Sequence, residues 1–493
     1  MRSWNHGRTS VLAAATAALF SLVLWGSAPS VGAQSVSVDP SGSSNSPLVI
    51  PNSPEVTHRV FLPLAAKPSD PPPPPVIFGV QIYSDLSSPG AALPLATQAH
   101  VSWVRWHVLW AAIEPSNTTP ANYNYYTDSA VLAAQKAGLR LIITIDSAPP
   151  WAATIANGRI DKTDISEFAQ FMGALVERYD GDGRQDAPGS PVVDYWEFYN
   201  EPDGGYASSA QSGAAYWGPF GAEYAQMLCA VYPVMKAASP RAQIALGGIA
   251  HDWFTDEGGP FVRRFLDDVL DAGGGNCLDA MNFHYYPAFH LTWDPYGSGL
   301  AGKANYLRSK LAPHGLANLP MIVTEAGWHS NDYSQFPSTP EIQAGYVVKL
   351  FVQSLASDVR VMMWWTWSDK EISGFWGANG LLDLNLQKKL AYHAYQTAAS
   401  QLGNAAFQRI LSPGVVHDDG SIQAYLFLRG NPLYVLWSTE PHPESVSLPG
   451  SSARVTDYVG NLVAQVADGD DGQSDGRVRV TVGADPRYVE TVP

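Results

Sequence analysis

The chain has 493 residues, of which 46% are hydrophobic and 15% charged, so it can build a large core beneath a lightly charged surface in two or three domains. Its 45 acidic residues against 29 basic ones give a formal net charge of -16, which excludes the basic face that nucleic acids require. Two cysteines cannot build a zinc site, no HExxH is present, and no GxSxG, Walker or GxGxxG sequence stands in a fitting strand–turn–helix context, so zinc, serine-nucleophile and nucleotide chemistry of those kinds is not expected.

Arg2 and Arg8 precede an apolar run from Val11 to Trp25, and Val31-Gly32-Ala33 fits a cleavage site. Residues 1–33 therefore read as an export signal, its apolar run being too short for a membrane anchor. No later stretch is long and apolar enough to span a bilayer, so no membrane role is expected beyond export, and the mature protein is expected to be secreted or held at the cell surface. Residues 34–75 are rich in Ser, Pro and Asn and end in Pro71 to Pro75, the composition of a stiff linker. Within it, His58 to Lys67 is an apolar island, either a docking strand or a sticky spot.

From residue 76 short apolar runs alternate with helical stretches. The runs are 77–83, 101–108, 139–145, 192–200, 243–248, 278–286, 320–326 and 359–367. Helices are expected over 127–138, 164–179, 223–239 and 386–402, with Gly138 where a helix C-terminus would place glycine. Eight such repeats over 76–403 predict a closed (β/α)8 TIM barrel. The competing doubly wound sheet would want a Gly-rich turn after its first strand, and VQIYSDLSS has none. After Gly403 the strand-like runs IQAYLFLRG, LYVLWS, VSLPG, ARVTDYVG, RVRVTVG and RYVETV predict a small antiparallel β-sandwich over 404–493, packed on the barrel rather than binding glycan. Asp180 to Asp186 reads as a polar turn more than a calcium loop, since the bidentate Glu of an EF-hand is missing, and Asp468 to Asp475 reads as a solvated hairpin turn. Cys229 and Cys277 either pair or stay as separate buried thiols.

Barrel active sites gather where strands end. The fourth run closes with Asn200, Glu201 and Pro202, and the seventh carries Glu325. His284, Tyr285 and Tyr286 end the sixth, Arg105 and His107 lie on the second, and Trp364, Trp365 and Trp367 on the eighth. Strand alternation gives Glu197 and Glu201 the same parity, with Glu197 about 13 Å deeper. Glu197 is then an interior carboxylate in need of a partner such as Arg105, and Glu201 the group substrate can reach. His107 reads as structural, and His284 either hydrogen-bonds in the site or supports it. Two carboxylates on one rim suit cleavage of a glycosidic bond, one donating a proton and the other attacking the anomeric carbon.

WEFYNEPD (196–203) and IVTEAGW (322–328) resemble the two signature stretches of the retaining (β/α)8-barrel glycoside hydrolases, the β-xylosidase-like and cellulase-like families, and APPWA (148–152) adds to the likeness. The resemblance covers residues 76–403 and implies Glu201 as acid/base and Glu325 as nucleophile. By the same likeness Asn200 matches a ligand of the sugar 2-hydroxyl, and Arg105 the arginine beside the nucleophile. Tyr286 or Tyr285, with His284, matches the aromatic that orients the nucleophile, and Trp365 or Trp367 the platform under the sugar. An oligo- or polysaccharide substrate and no cofactor follow. A non-catalytic carbohydrate-binding or cell-surface protein and a transglycosylase are the alternatives.

Overall fold

The computed structural model describes residues 77–83, 92–211, 213–411 and 421–493. The expected export signal and linker, with its apolar island, lie outside them. Seven barrel strands come first: β1 (Phe78–Gln81), β2 (Trp103–Leu109), β3 (Arg140–Asp146), β4 (Tyr195–Phe198), β5 (Gln243–Ala245), β6 (Met281–Tyr285) and β7 (Met321–Ala326). A small hairpin, β8 (Asp332–Tyr333) and β9 (Phe336–Pro337), precedes the eighth barrel strand, β10 (Val359–Trp364). The sheet runs β5-β4-β3-β2-β1-β10-β7-β6 with every named pairing parallel. Parallel bridges Ala245–Ala280 and Ile249–Phe283 join its two ends and close the (β/α)8 barrel.

Alternation along these strands stacks the interior in layers. Trp103, Ile142, Ala245, Ala280, Ile322, Val361 and Met363 form an apolar floor. Two residues further along, Arg105, Thr144, Asn282 and Thr324 replace it with a polar layer, joined by Gln81 and Glu197, all fully buried. The outward faces pack on helices. The helix Ile165–Arg178 buries Phe168, Phe171, Met172, Leu175 and Val176 on one stripe, and the Asp164 side chain caps it through Ser166 N.

Several strands are shorter than the sequence runs, β4 and β5 among them. Beyond Phe198 the backbone turns left-handed at Tyr199 (φ 61°), so β4 cannot continue to residue 200. Past β5, Gly247 lies against the Phe198 carbonyl so closely that an added Cβ would stand 2.3 Å from it. The last barrel helix starts at Leu390 rather than 386, because Leu386 is itself left-handed (φ 60°).

The C-terminal strands are β11 (Ala406–Ile410), β12 (Ile422–Arg429), β13 (Asn431–Ser438), β14 (Glu444–Pro449), β15 (Ser452–Asp457), β16 (Leu462–Ala467), β17 (Arg477–Val482) and β18 (Arg487–Val492). They make an antiparallel sheet ordered β11-β12-β13-β18-β15-β16 and a β14-β17 pair. Leu436, Val455 and Val489 of the first meet Val446, Leu448, Val478 and Val480 of the second in a separate core, the inner face of a β-sandwich. Its outer side joins the barrel core through Tyr425, Phe427, Trp437 and Tyr488. Asp468 to Asp475 is not a hairpin turn: β16 pairs with β15 and β17 with β14, so the segment crosses between sheets. Asp180, Asp182 and Asp186 fold as a turn in which each carboxylate accepts from a nearby backbone N–H.

Cys229 and Cys277 form a disulfide that ties the helix Gly221–Ala238 to the turn before β6. It closes a 48-residue separation. Replacing both cysteines by serine is expected to lower the unfolding free energy by about 2–4 kcal/mol, read from urea denaturation. An unchanged midpoint would show that the thiols do not pair.

Candidate active site

Arg105 sits at the centre of the polar layer with no exposed surface. All five of its N–H donors are spent. Nε donates to Glu197 Oε1 (2.7 Å), Nη1 to Gln81 Oε1 (3.1 Å) and Glu325 Oε1 (2.7 Å), and Nη2 to Asn200 Oδ1 (2.7 Å) and Glu197 Oε1. The guanidinium therefore serves both roles considered for it, as partner of Glu197 and as neighbour of Glu325. Its two carboxylates keep it fully protonated despite burial. Because Asn200 Oδ1 faces Arg105 and Nδ2 donates to Gly213 O (3.0 Å), one amide hydrogen of Asn200 stays available for a ligand.

Glu201 reaches the site by a different route from strand alternation. Tyr199 (φ 61°) and Glu201 (φ 46°) both take left-handed backbone, which non-glycine residues avoid. Tyr199 N to Ile145 O (2.8 Å), Glu201 N to Gly248 O (3.0 Å) and Ala215 N to Asn200 O (2.7 Å) hold that turn. The parity that seemed to relate Glu197 to Glu201 is thus broken between them, and a strained turn aims the second carboxylate. An oxygen of Glu201, a ring nitrogen of His284 and an oxygen of Glu325 all lie within 4.8 Å of one another. Both Glu325 oxygens are already engaged, Oε1 by Arg105 and Oε2 by the Tyr286 hydroxyl (2.9 Å), so this trio is a poor cage for a divalent cation.

The hydrogen-bond chain behind Glu201 runs in one direction. Glu197 is a carboxylate that can only accept, so Asn282 turns its NH2 toward it and its Oδ1 toward Thr324. Thr324 Oγ1 donates to that oxygen (3.0 Å) and is left to accept from His284 Nε2 (3.2 Å). Burial, helped by Arg105, pushes the His284 pKa well down, so the ring is neutral and its Nδ1 is an acceptor. That nitrogen faces Glu201 Oε1 at 3.1 Å. Burial and the charge of Glu325, with Asp203 and Asp252 behind, push the Glu201 pKa well above the ordinary carboxylate value. Glu201 is a neutral acid whose proton points at His284. Gly248 makes room for this ring, since a Cβ there would stand 2.2 Å from Nε2.

Tyr286 lies just beyond the end of β6 and keeps its phenol proton, its pKa raised by burial and by Glu325. Tyr285 and Trp367 do not join the site. Tyr285 is the last residue of β6 and takes the opposite parity to His284, packing into the surrounding core. Trp367 is buried against Tyr392 of the last barrel helix. Trp365 is the site tryptophan: its Nε1 donates to Tyr83 (2.8 Å) and its ring meets Tyr286 and Trp376 edge-on. His107 bonds Asp146 (2.8 Å) and stacks on Tyr83. The sequence places Thr324 at the end of the seventh run without a role and offers no reading of Gln81, Tyr83, Asn282, Lys370 or Trp376. Gln81, Asn282 and Thr324 share an inward parity with Arg105 and His284 that was open to inspection. Tyr83, Lys370 and Trp376 carried no such signal.

The model of the family described as Cellulase (glycosyl hydrolase family 5) matches residues 80–371. Among solved structures, a family 39 glycoside hydrolase from the gut symbiont Bacteroides cellulosilyticus WH2 superposes with a TM-score of 0.64 at 21% identity, covering 85% of this chain and 81% of that one. A glucosidase from Croceicoccus marinus gives 0.58 at 16% identity, covering 84% and 95%. The GH51 alpha-L-arabinofuranosidase of Thermotoga petrophila RKU-1 gives 0.56 at 12%, covering 85% and 97%. These likenesses concern the fold. A curated relative, the chloroplastic Beta-glucosidase-like SFR2 of Oryza sativa subsp. japonica, is 28% identical over 125 residues, 24% of this chain and 18% of that protein's length.

The charge on Glu325 is one of the causes that hold Glu201 protonated. Carbon-13 NMR titration of the glutamate carboxyls should show one group ionising well above the usual range. Glu325→Gln removes the neighbouring charge and should move that titration to lower pH. A titration unmoved by the substitution would show that the two carboxyls do not interact.

Proposed function

The chain belongs to the cellulase family, glycosyl hydrolase family 5, and is a glycoside hydrolase; from that premise we propose that it cleaves O-glycosidic bonds of oligo- or polysaccharides with retention of configuration, by double displacement. The observation that supports retention is the approach of the two carboxyls, an oxygen of each within 4.8 Å. Retaining sites hold them about 5–5.5 Å apart, whereas a site with an intervening water needs about 6.5–9.5 Å.

In the first step an oxygen of Glu325 bonds to the anomeric carbon as the glycosidic C–O bond breaks, and Glu201 passes its proton to the departing oxygen. In the second, Glu201, now a carboxylate, takes a proton from water. The water oxygen bonds to the anomeric carbon, and the bond to Glu325 breaks. Arg105 and Tyr286 hold Glu325 by its two oxygens, Trp365 lies under the sugar ring, and the free amide hydrogen of Asn200 meets a ring hydroxyl. Neutral His284 yields the Glu201 proton without competing for it. The site needs no other reactive group for either step. The Cys229–Cys277 bridge supports an exported enzyme, because such bonds persist in oxidising compartments.

Glu325→Ala is expected to abolish turnover. Glu201→Ala should cost about 10²–10⁴-fold on substrates with poor leaving groups and far less on an activated aryl glycoside, whose departing phenolate needs no proton. NMR of the first-formed anomer should show the substrate's configuration. An inverted product, or unimpaired cleavage of an unactivated glycan by Glu201→Ala, would refute the assignment. Products longer than the substrate would mark a transglycosylase.

A further inference from the structure

The segment after β10 closes one end of the site. Asp369 anchors it, accepting from Gly380 N (2.8 Å) and from Lys389 Nζ (2.8 and 3.1 Å). Lys370 N donates to Gly377 O (2.9 Å). From outside, Asn331 Nδ2 holds Gly374 O (3.0 Å), and Gln343 Nε2 holds Ala378 O (3.0 Å) and Gly380 O (3.2 Å). The segment therefore forms a wall braced against the loop after β7 and the helix Pro340–Ala356.

Two side chains of the wall face the reacting groups. Trp376 is half-buried and meets Tyr286 edge-on at 4.8 Å between ring centroids and Trp365 at 5.4 Å. The Lys370 ammonium lies 3.9 Å from the centroid of the Tyr83 ring and 4.3 Å from that of Trp365. Such cation–π contacts hold the charge but use none of its three N–H donors on oxygen. No carboxylate or carbonyl bonds it among the described residues. Two other lysines near the barrel mouth, the buried Lys303 and the half-buried Lys389, are each paired with an aspartate.

This wall stands on the nucleophile's side. Glu325 is the charge that acts on Lys370, and Trp376 touches Tyr286, the donor to Glu325. Glu201 protonates the departing oxygen, so the leaving group lies on its side, and the sugar being transferred extends the other way, toward the wall. On that side Trp365 is 4% exposed and the Glu325 side chain 9%, while the Glu201 side chain stays 18% exposed.

We propose that the wall 369–380 makes this a one-sugar pocket, and that Lys370 reads the non-reducing end of that sugar by donating to its hydroxyl oxygens. The enzyme then removes single terminal sugars rather than cutting chains internally. The inference rests on the catalytic roles given to Glu201 and Glu325. Burial pushes the Lys370 pKa down to about 8, with Glu325 opposing, so a neutral amine replaces the ammonium in mildly alkaline solution and sugar affinity falls there.

The test uses the purified full chain on glucan, xylan and mannan oligosaccharides labelled at the reducing end. The expected products are a monosaccharide and a labelled chain shorter by one unit. Lys370→Met should raise KM for an aryl glycoside about tenfold or more, the loss of a charge-assisted hydrogen bond, with a smaller change in kcat. Trp376→Ala, which lowers the wall, should let disaccharides appear. Labelled fragments from internal cuts by the native chain, or an unchanged KM in Lys370→Met, would overturn the pocket and leave the glycosidase reading intact. Cleavage of no substrate by the native chain would sink that reading and this one together.

Discussion

One buried guanidinium organises the barrel mouth. Arg105 has no water to share its charge, and an unpaired ion at that depth would cost several kcal/mol. The cost is offset because five acceptor contacts, on β1, β4, β7 and the turn after β4, use all five of its donors. Those contacts are also the site's geometry. Pulling Glu325, Glu197, Gln81 and Asn200 onto one planar fork fixes where the proposed nucleophile and the amide stand, so the contacts that satisfy a buried charge also set the geometry of the site. A lysine could not reproduce it, having one nitrogen rather than a fork.

The second consequence is a division of labour between carboxyls. Glu325 receives a cation and a phenol, both donors. Glu201 receives a neutral imidazole as acceptor, a like charge beside it and the carboxyls of Asp203 and Asp252 behind. The difference begins at Glu197, which is fully buried in the polar layer. As an acceptor-only group it orients Asn282, and through Thr324 that orientation fixes the tautomer of His284. Asp203, whose pKa burial pushes up to about 7, accepts from Ala250 N and His251 N, tying the turn that carries Glu201 to the loop after β5.

The barrel supplies the floor of the site, and the wall of the proposed pocket comes from a loop. The strand ends place the reacting groups, whereas the segment over Trp365 and Tyr83 comes from chain beyond β10 that carries no regular secondary structure. Its carbonyls at Gly374, Ala378 and Gly380 accept from Asn331 and Gln343, the contacts on which the proposed one-sugar pocket relies.

The apolar runs alone determined eight strands and a barrel, because a strand buried on both faces must be written in apolar residues whatever it packs against. They also brought Asn200, Glu201 and Glu325 to the C-terminal mouth of the barrel, although β4 stops at the left-handed Tyr199 and not at Pro202. Choices between neighbours needed the tertiary structure. Tyr286 rather than Tyr285, and Trp365 rather than Trp367, depend on where each strand stops and which way the next residue turns, just as the left-handed Tyr199 and Glu201 break the parity between Glu197 and Glu201. Tyr83, Lys370 and Trp376 lie in stretches with no period to read. Their meeting around Glu325 is decided by the closure of the sheet, which brings the first strand beside the last, a contact between residues nearly 300 positions apart that no local pattern encodes.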